Sequence, residues 1–144
     1  MTADKKIVLK LIGWSIAIHI ILILSTVLEV FIYSTFINPG QDVSHYESHA
    51  QDSGPYIGII LGFIVIAIIA IRMLNRNQGH RALIAYGLPI AYIIVDLIIL
   101  ILSGIFFGDH PTVFAISYLT KMAAGQIALW QTRTNKISEN HLTQ

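Results

Sequence analysis

The stretch Ile7–Ile37, IVLKLIGWSIAIHIILILSTVLEVFIYSTFI, decides the fold: only Lys10, His19 and Glu29 interrupt its apolar run. A helix needs roughly 20 apolar residues to cross a hydrocarbon core about 30 Å thick. This run exceeds that length, and Asn38-Pro39-Gly40 behind it forms a turn in which proline stops the helix. Lys5 and Lys6 supply the basic flank a signal peptide would have. The apolar stretch is too long for one, however, and no small-x-small cleavage site follows it. It is expected to remain as a membrane span.

Three further runs have the same character. One covers residues 56–74, after Ser53-Gly54-Pro55, with Arg72 close enough to the end to snorkel. Another covers roughly 82–107 and contains Asp96; the last covers roughly 112–130 and contains Lys121. The expected architecture is a single all-α domain over residues 1–144, a polytopic four-helix transmembrane bundle running up-down-up-down with an outer loop at 38–55. Composition agrees. The 144 residues are 55% hydrophobic and 12% charged, with a mean hydropathy of +0.70, whereas a soluble domain carries about 25% charged residues.

Orientation follows from lysine and arginine in the short connections. Lys5, Lys6 and Lys10 flank the first run; Arg72, Arg76 and Arg81 lie between the second and third; Arg133 and Lys136 follow the fourth. Residues 38–55 and 108–111 hold no Lys or Arg. All basic segments therefore fall on one side, which places both termini in the cytoplasm, and the expected location is a bacterial inner membrane. The net charge of +1 is dispersed, so there is no basic face for nucleic acid. The chain has no cysteine, which excludes disulfides, thiolate nucleophiles and Cys-ligated metals. Gly108-Asp109-His110-Pro111 is short enough to make the third and fourth spans antiparallel neighbours.

Small residues indicate how the spans pack. Gly54, Gly58 and Gly62 recur every four residues, a spacing that lets another backbone approach closely. Gly58 and Gly62 could form a homo-oligomer face, but packing within the monomer is favoured because four helices already need close contacts. In the fourth run Ser117, Ala124, Gly125 and Ala128 form a small stripe around Lys121, which sets the lysine on a face toward other helices.

Polar residues form stripes as well. Ser15, His19, Thr26, Glu29 and Tyr33 follow one face of the first helix. Pro89, Tyr92, Asp96 and Ser103 do the same in the third, where the proline can kink the helix and release a carbonyl. Measured along each helix from the outer surface, Glu29 lies about 12 Å deep, Asp96 about 17 Å and Lys121 about 14 Å. A charge near the bilayer centre costs at least about 2.5–3.5 kcal/mol, so such groups face protein or a wet cavity and mark substrate or ion pathways. Asp96 with Lys121 is the expected ion pair, with Glu29 the odd carboxylate. An internal pair that merely fixes helix register is the bland alternative. His19 lies about 15 Å inward of Glu29 and is read first as a hydrogen-bonded interior histidine, second as an extension of a proton path.

In the outer loop His45 and His49 are four apart, and with Asp42, Glu47, Asp52, Asp109 and His110 they could supply imidazole and carboxylate ligands for a divalent metal. No His-Glu-x-x-His motif is present, so a solvated lid is the favoured reading and no cofactor is expected. The leading functional reading is a small membrane protein that binds or transports a small molecule or ion, with proton coupling. Its pocket would comprise Glu29, Asp96 and Lys121, walled by Tyr33, Tyr92 and Tyr118, with His19 behind. Two alternatives stand beside it: a membrane enzyme acting on a lipid or isoprenoid through acid–base groups, and an accessory or immunity-type protein with no small-molecule site.

Overall fold

The computed structural model describes residues 3–103 and 111–142, and among them the chain is built of helices with no strand. Helix α1 covers Ala3–Ile32 and runs directly into a π-helical turn, Tyr33–Ile37. There the Asn38 amide donates to the Tyr33 carbonyl at 2.9 Å. Gly40, at φ +82°, then takes the left-handed conformation that lets the chain reverse. Helix α2 covers Val43–Arg76, and Asn77 closes it by donating both its backbone and side-chain N–H groups to the Met73 carbonyl. A 3₁₀ turn at Gln78–His80 leads into α3, Arg81–Ser103, and α4 covers Pro111–Leu142. The end of the third apolar run, the Gly108–Pro111 link up to Pro111, and with them Asp109 and His110, lie outside the described residues.

Residues 38–55 are not the open loop expected, because α2 is already helical from Val43. The reason is local partnering. Tyr46 donates its hydroxyl to the Asn38 carbonyl at 2.9 Å and accepts the Gln41 amide at 3.0 Å, while His49 and Ser53 reach across to Glu29 of α1. Pro55, which suggests a helix start from sequence, sits inside the helix instead. Its missing N–H costs one backbone bond, and the helix continues through it.

The side-chain distribution is inverted relative to a protein in water. Ser15 and Lys121 are 0% and 1% exposed, yet Leu102 is 81% exposed and Ile101 75%. The buried apolar core comes from one face of each helix: Ile18 of α1, Ile66 of α2, Ile84 and Leu88 of α3, Ala124 and Ala128 of α4. A helix that is apolar all round has no soluble face. Three helical segments, Asp4–Ile37, Val43–Arg76 and Gln78–Ser103, are long and apolar enough to cross a membrane, each holding an 18-residue stretch of mean hydropathy 2.4, 2.8 and 2.4 respectively. Helix α4 is not among them; Thr120, Lys121, Gln126 and its small residues dilute it.

Specific contacts fix the register between helices. Along α1 and α3 the pairs ascend together: Asp4 with His80, Leu11 with Gly87, His19 with Tyr92 and Asp96. Against α2, α1 is matched in opposite order, Leu22 near Gly62, Thr26 near Gly54, Glu29 by His49. Helices α3 and α4 are also opposed, through Arg81 with Thr132, Ala85 with Gly125 and Asp96 with Tyr118. Among the described glycines the tightest is Gly125, where any Cβ would collide with the Ala85 carbonyl oxygen. That carbonyl is the one Pro89 leaves without its intrahelical donor. The glycine hydrogen that occupies the Cβ direction points at it, a Cα–H···O contact that partly replaces the lost bond.

Candidate functional site

The register of α1 against α3 brings His19, rather than Lys121, to Asp96. His19 Nε2 lies 3.2 Å from Asp96 Oδ1, and the Tyr118 hydroxyl donates to Asp96 Oδ2 at 2.9 Å. The imidazole stacks on the Tyr92 ring, with centroids 4.1 Å apart and planes 12° from parallel. One turn earlier on α1, the Ser15 carbonyl lies 2.8 Å from His19 Nδ1. A carbonyl only accepts, so Nδ1 carries a hydrogen. A neutral imidazole has a single N–H, which leaves a bare lone pair at Nε2 facing a carboxylate oxygen. The contact therefore requires one more proton, held either on Nε2, giving imidazolium and carboxylate, or on Oδ1, giving imidazole and carboxylic acid.

Lys121 forms no ion pair with Asp96 among the described residues, contrary to the pairing expected from sequence. Neighbouring helices constrain which faces meet, but a lysine stem is long enough to choose its own partners. Here it folds back one turn to the Ser117 hydroxyl at 2.5 Å and the Ser117 carbonyl at 3.3 Å, and reaches the Gly58 carbonyl of α2 at 3.2 Å. Three oxygens match the three hydrogens of an ammonium, and the Tyr92 ring, 5.0 Å from Nζ, adds a cation–π contact. The stem has room because residue 62 is glycine. A Cβ there would lie 3.2 Å from Lys121 Cε and 3.5 Å from Leu22 Cδ1. Gly62 thus serves packing inside the chain, and Gly58 contributes its carbonyl there.

Glu29 belongs to a separate cluster. Its carboxylate takes His49 Nε2 at 2.7 Å and the Ser53 hydroxyl at 3.0 Å. Tyr33 stacks on His49 with centroids 3.6 Å apart, and its hydroxyl meets His45 Nε2 at 3.4 Å and accepts from Asn38 Nδ2 at 3.2 Å. The expectation that Glu29, Asp96 and Lys121 share one level fails because depth counted from helix ends ignores stagger. Asp96 stands beside His19, roughly 15 Å before Glu29 along α1. Tyr92, Tyr118 and His19 gather around Asp96 and Lys121, while Tyr33 goes with Glu29.

His45 and His49 do not converge as ligands. One faces Tyr33 and Asn38, the other Glu29, and among the described residues no group of three His, Asp or Glu side chains could hold a metal ion. Ser117 and Ser53 carry hydrogen bonds that sequence reasoning did not assign. The i, i+4 spacing of Ser117 and Lys121 was a usable signal, whereas Ser53 was hidden by the reading of residues 38–55 as a loop.

Compared with family models, curated proteins and solved structures, the chain matches none of them.

Proposed function

We propose that the chain is an integral membrane protein whose His19–Asp96–Tyr118 cluster binds a small cation or cationic molecule in exchange for a proton. The reading takes all four helices as spans running up-down-up-down with both termini cytoplasmic. It is supported by the one-sided placement of the basic segments and by the alternating order of interhelical contacts. A buried lysine then makes α4 a span through its place in the bundle rather than through its apolarity.

The observation that carries the proposal is the pair of oxygens facing both nitrogens of His19. The proton in the Nε2···Oδ1 contact is the one exchanged. Once it leaves, the site holds a carboxylate beside an aromatic wall, with the Lys121 ammonium across the Tyr92 ring held by Ser117 and Gly58 oxygens instead, and a small cation completes its coordination. Ionisable groups inside membrane segments mark ion pathways and proton relays by default. Glu29 with His49 forms a second, more exposed acidic station at the end of the same helix.

The test is proton release from purified protein in weakly buffered detergent on addition of Na⁺, K⁺ or tetraphenylphosphonium. The expected result is release stoichiometric with bound cation for at least one of these probes, and none from Asp96→Asn. Unchanged release from that variant would remove Asp96 from the mechanism.

A further inference from the structure

A groove of about 620 Å³ lies between α1 and α2, away from the polar clusters, at the end of the bundle where Asn77 closes α2. Its mouth carries Lys10, Arg72 and Arg76, with Trp14 beside them, and no carboxylate lines it. None of the three cations takes part in an ion pair among the described residues. Below the mouth the lining is aliphatic. Ile69 and Met73 form a floor only 7% and 6% exposed, and Ile21 and Ile68 form exposed walls.

The length of the groove fits one leaflet. From Lys10 to Ile21 the α1 wall rises roughly 16 Å, about half of a 30 Å hydrocarbon core. Snorkelling alone would spread basic residues around the bundle. Here three converge on one cleft, with a tryptophan at the level where indoles favour the membrane interface. A soluble anion would use the mouth and leave the apolar length empty. We propose that this groove holds one anionic phospholipid, its phosphate among Lys10, Arg72 and Arg76 and an acyl chain along Ile21, Ile68 and Met73. Basic pockets between membrane helices on the cytoplasmic side bind such headgroups through the same combination. The site shares no residue with the His19–Asp96 cluster and does not depend on proton exchange there.

The purified full chain in non-ionic detergent is titrated with phosphatidylglycerol or phosphatidylcholine of identical acyl chains, and bound lipid is counted by native mass spectrometry. One phosphatidylglycerol is expected to be retained where phosphatidylcholine is not. The double variant Arg72→Gln/Arg76→Gln weakens retention on the order of thirtyfold. Lys6→Gln/Arg133→Gln removes the same charge from exposed positions outside the groove and leaves retention unchanged. Ile68→Trp fills the groove without altering charge and also displaces the lipid. Equal retention of the two lipids, equal loss in the Lys6/Arg133 control, or undiminished binding in the Arg72/Arg76 variant would each overturn the proposal.

Discussion

His19 and His49 each turn Nε2 toward a carboxylate, but the remaining environment of the two rings differs. His19 is also held at Nδ1 by the Ser15 carbonyl, and its side chain is 9% exposed against 23% for Asp96. His49 has Glu29 as its only polar contact among the described residues, with exposures of 24% and 34%. A neutral His49 therefore satisfies Glu29 by placing its one hydrogen on Nε2, whereas the His19–Asp96 contact needs an additional proton. Two pairs of the same residue types thus differ in the hydrogens their contacts call for, and a single backbone carbonyl makes the difference. The lesson is that the proton count of a histidine–carboxylate pair is set on the far side of the ring.

The largest effect that could break this comparison is truncation. Asp96→Ala leaves His19 Nε2 and the Tyr118 hydroxyl without the carboxylate that both contact and is expected to cost about 3 kcal/mol. Glu29→Ala, in the more exposed cluster, is expected to cost about 1 kcal/mol because solvent can replace the lost acceptor. Denaturant unfolding in micelles measures both, and equal losses would erase the distinction between the clusters. A smaller effect sharpens it. In Asp96→Asn the amide N–H can donate to a neutral Nε2 while its oxygen still accepts from Tyr118, so the fold should survive with a loss of about 1 kcal/mol. That variant separates the dissociable proton from the packing around it. Glu29→Gln preserves an acceptor for His49 and should lie within about 0.5 kcal/mol of the parent.

A comparison of two glycines beside the Lys121 ammonium completes the series. Gly62→Ala presses on the lysine stem and should cost about 1 kcal/mol. Gly58→Ala meets nothing within 4 Å and should be neutral or stabilise by up to about 1 kcal/mol through helix propensity. Thermal unfolding of the two variants gives the order, and a reversed order would show that the stem has another route.

Much of the helical course was legible in the sequence. Asn38-Pro39-Gly40 marks where the first helix ends, and the small residues around Lys121 mark a face that is buried. Those signals are local: proline chemistry, glycine freedom and periodicity. The partner of Asp96 was not legible, because the tight link that favoured Lys121 restricts neighbours without fixing rotation or stagger. Three hydrogen-bond acceptors from Ser117 and Gly58 outcompete one carboxylate for the ammonium. The helical character of residues 43–55 was equally hidden. Their polar side chains lack an apolar stripe, and the partners that hold them, Glu29 and Asn38, lie on another element.

The most direct measurement is ¹⁵N NMR of the His19 ring in bilayers at neutral pH, paired with the infrared band of a protonated carboxyl assigned by Asp96→Asn. The account predicts hydrogen on Nδ1 together with either a second hydrogen on Nε2 or a protonated Asp96. A singly protonated His19 beside an ionised Asp96 would contradict it.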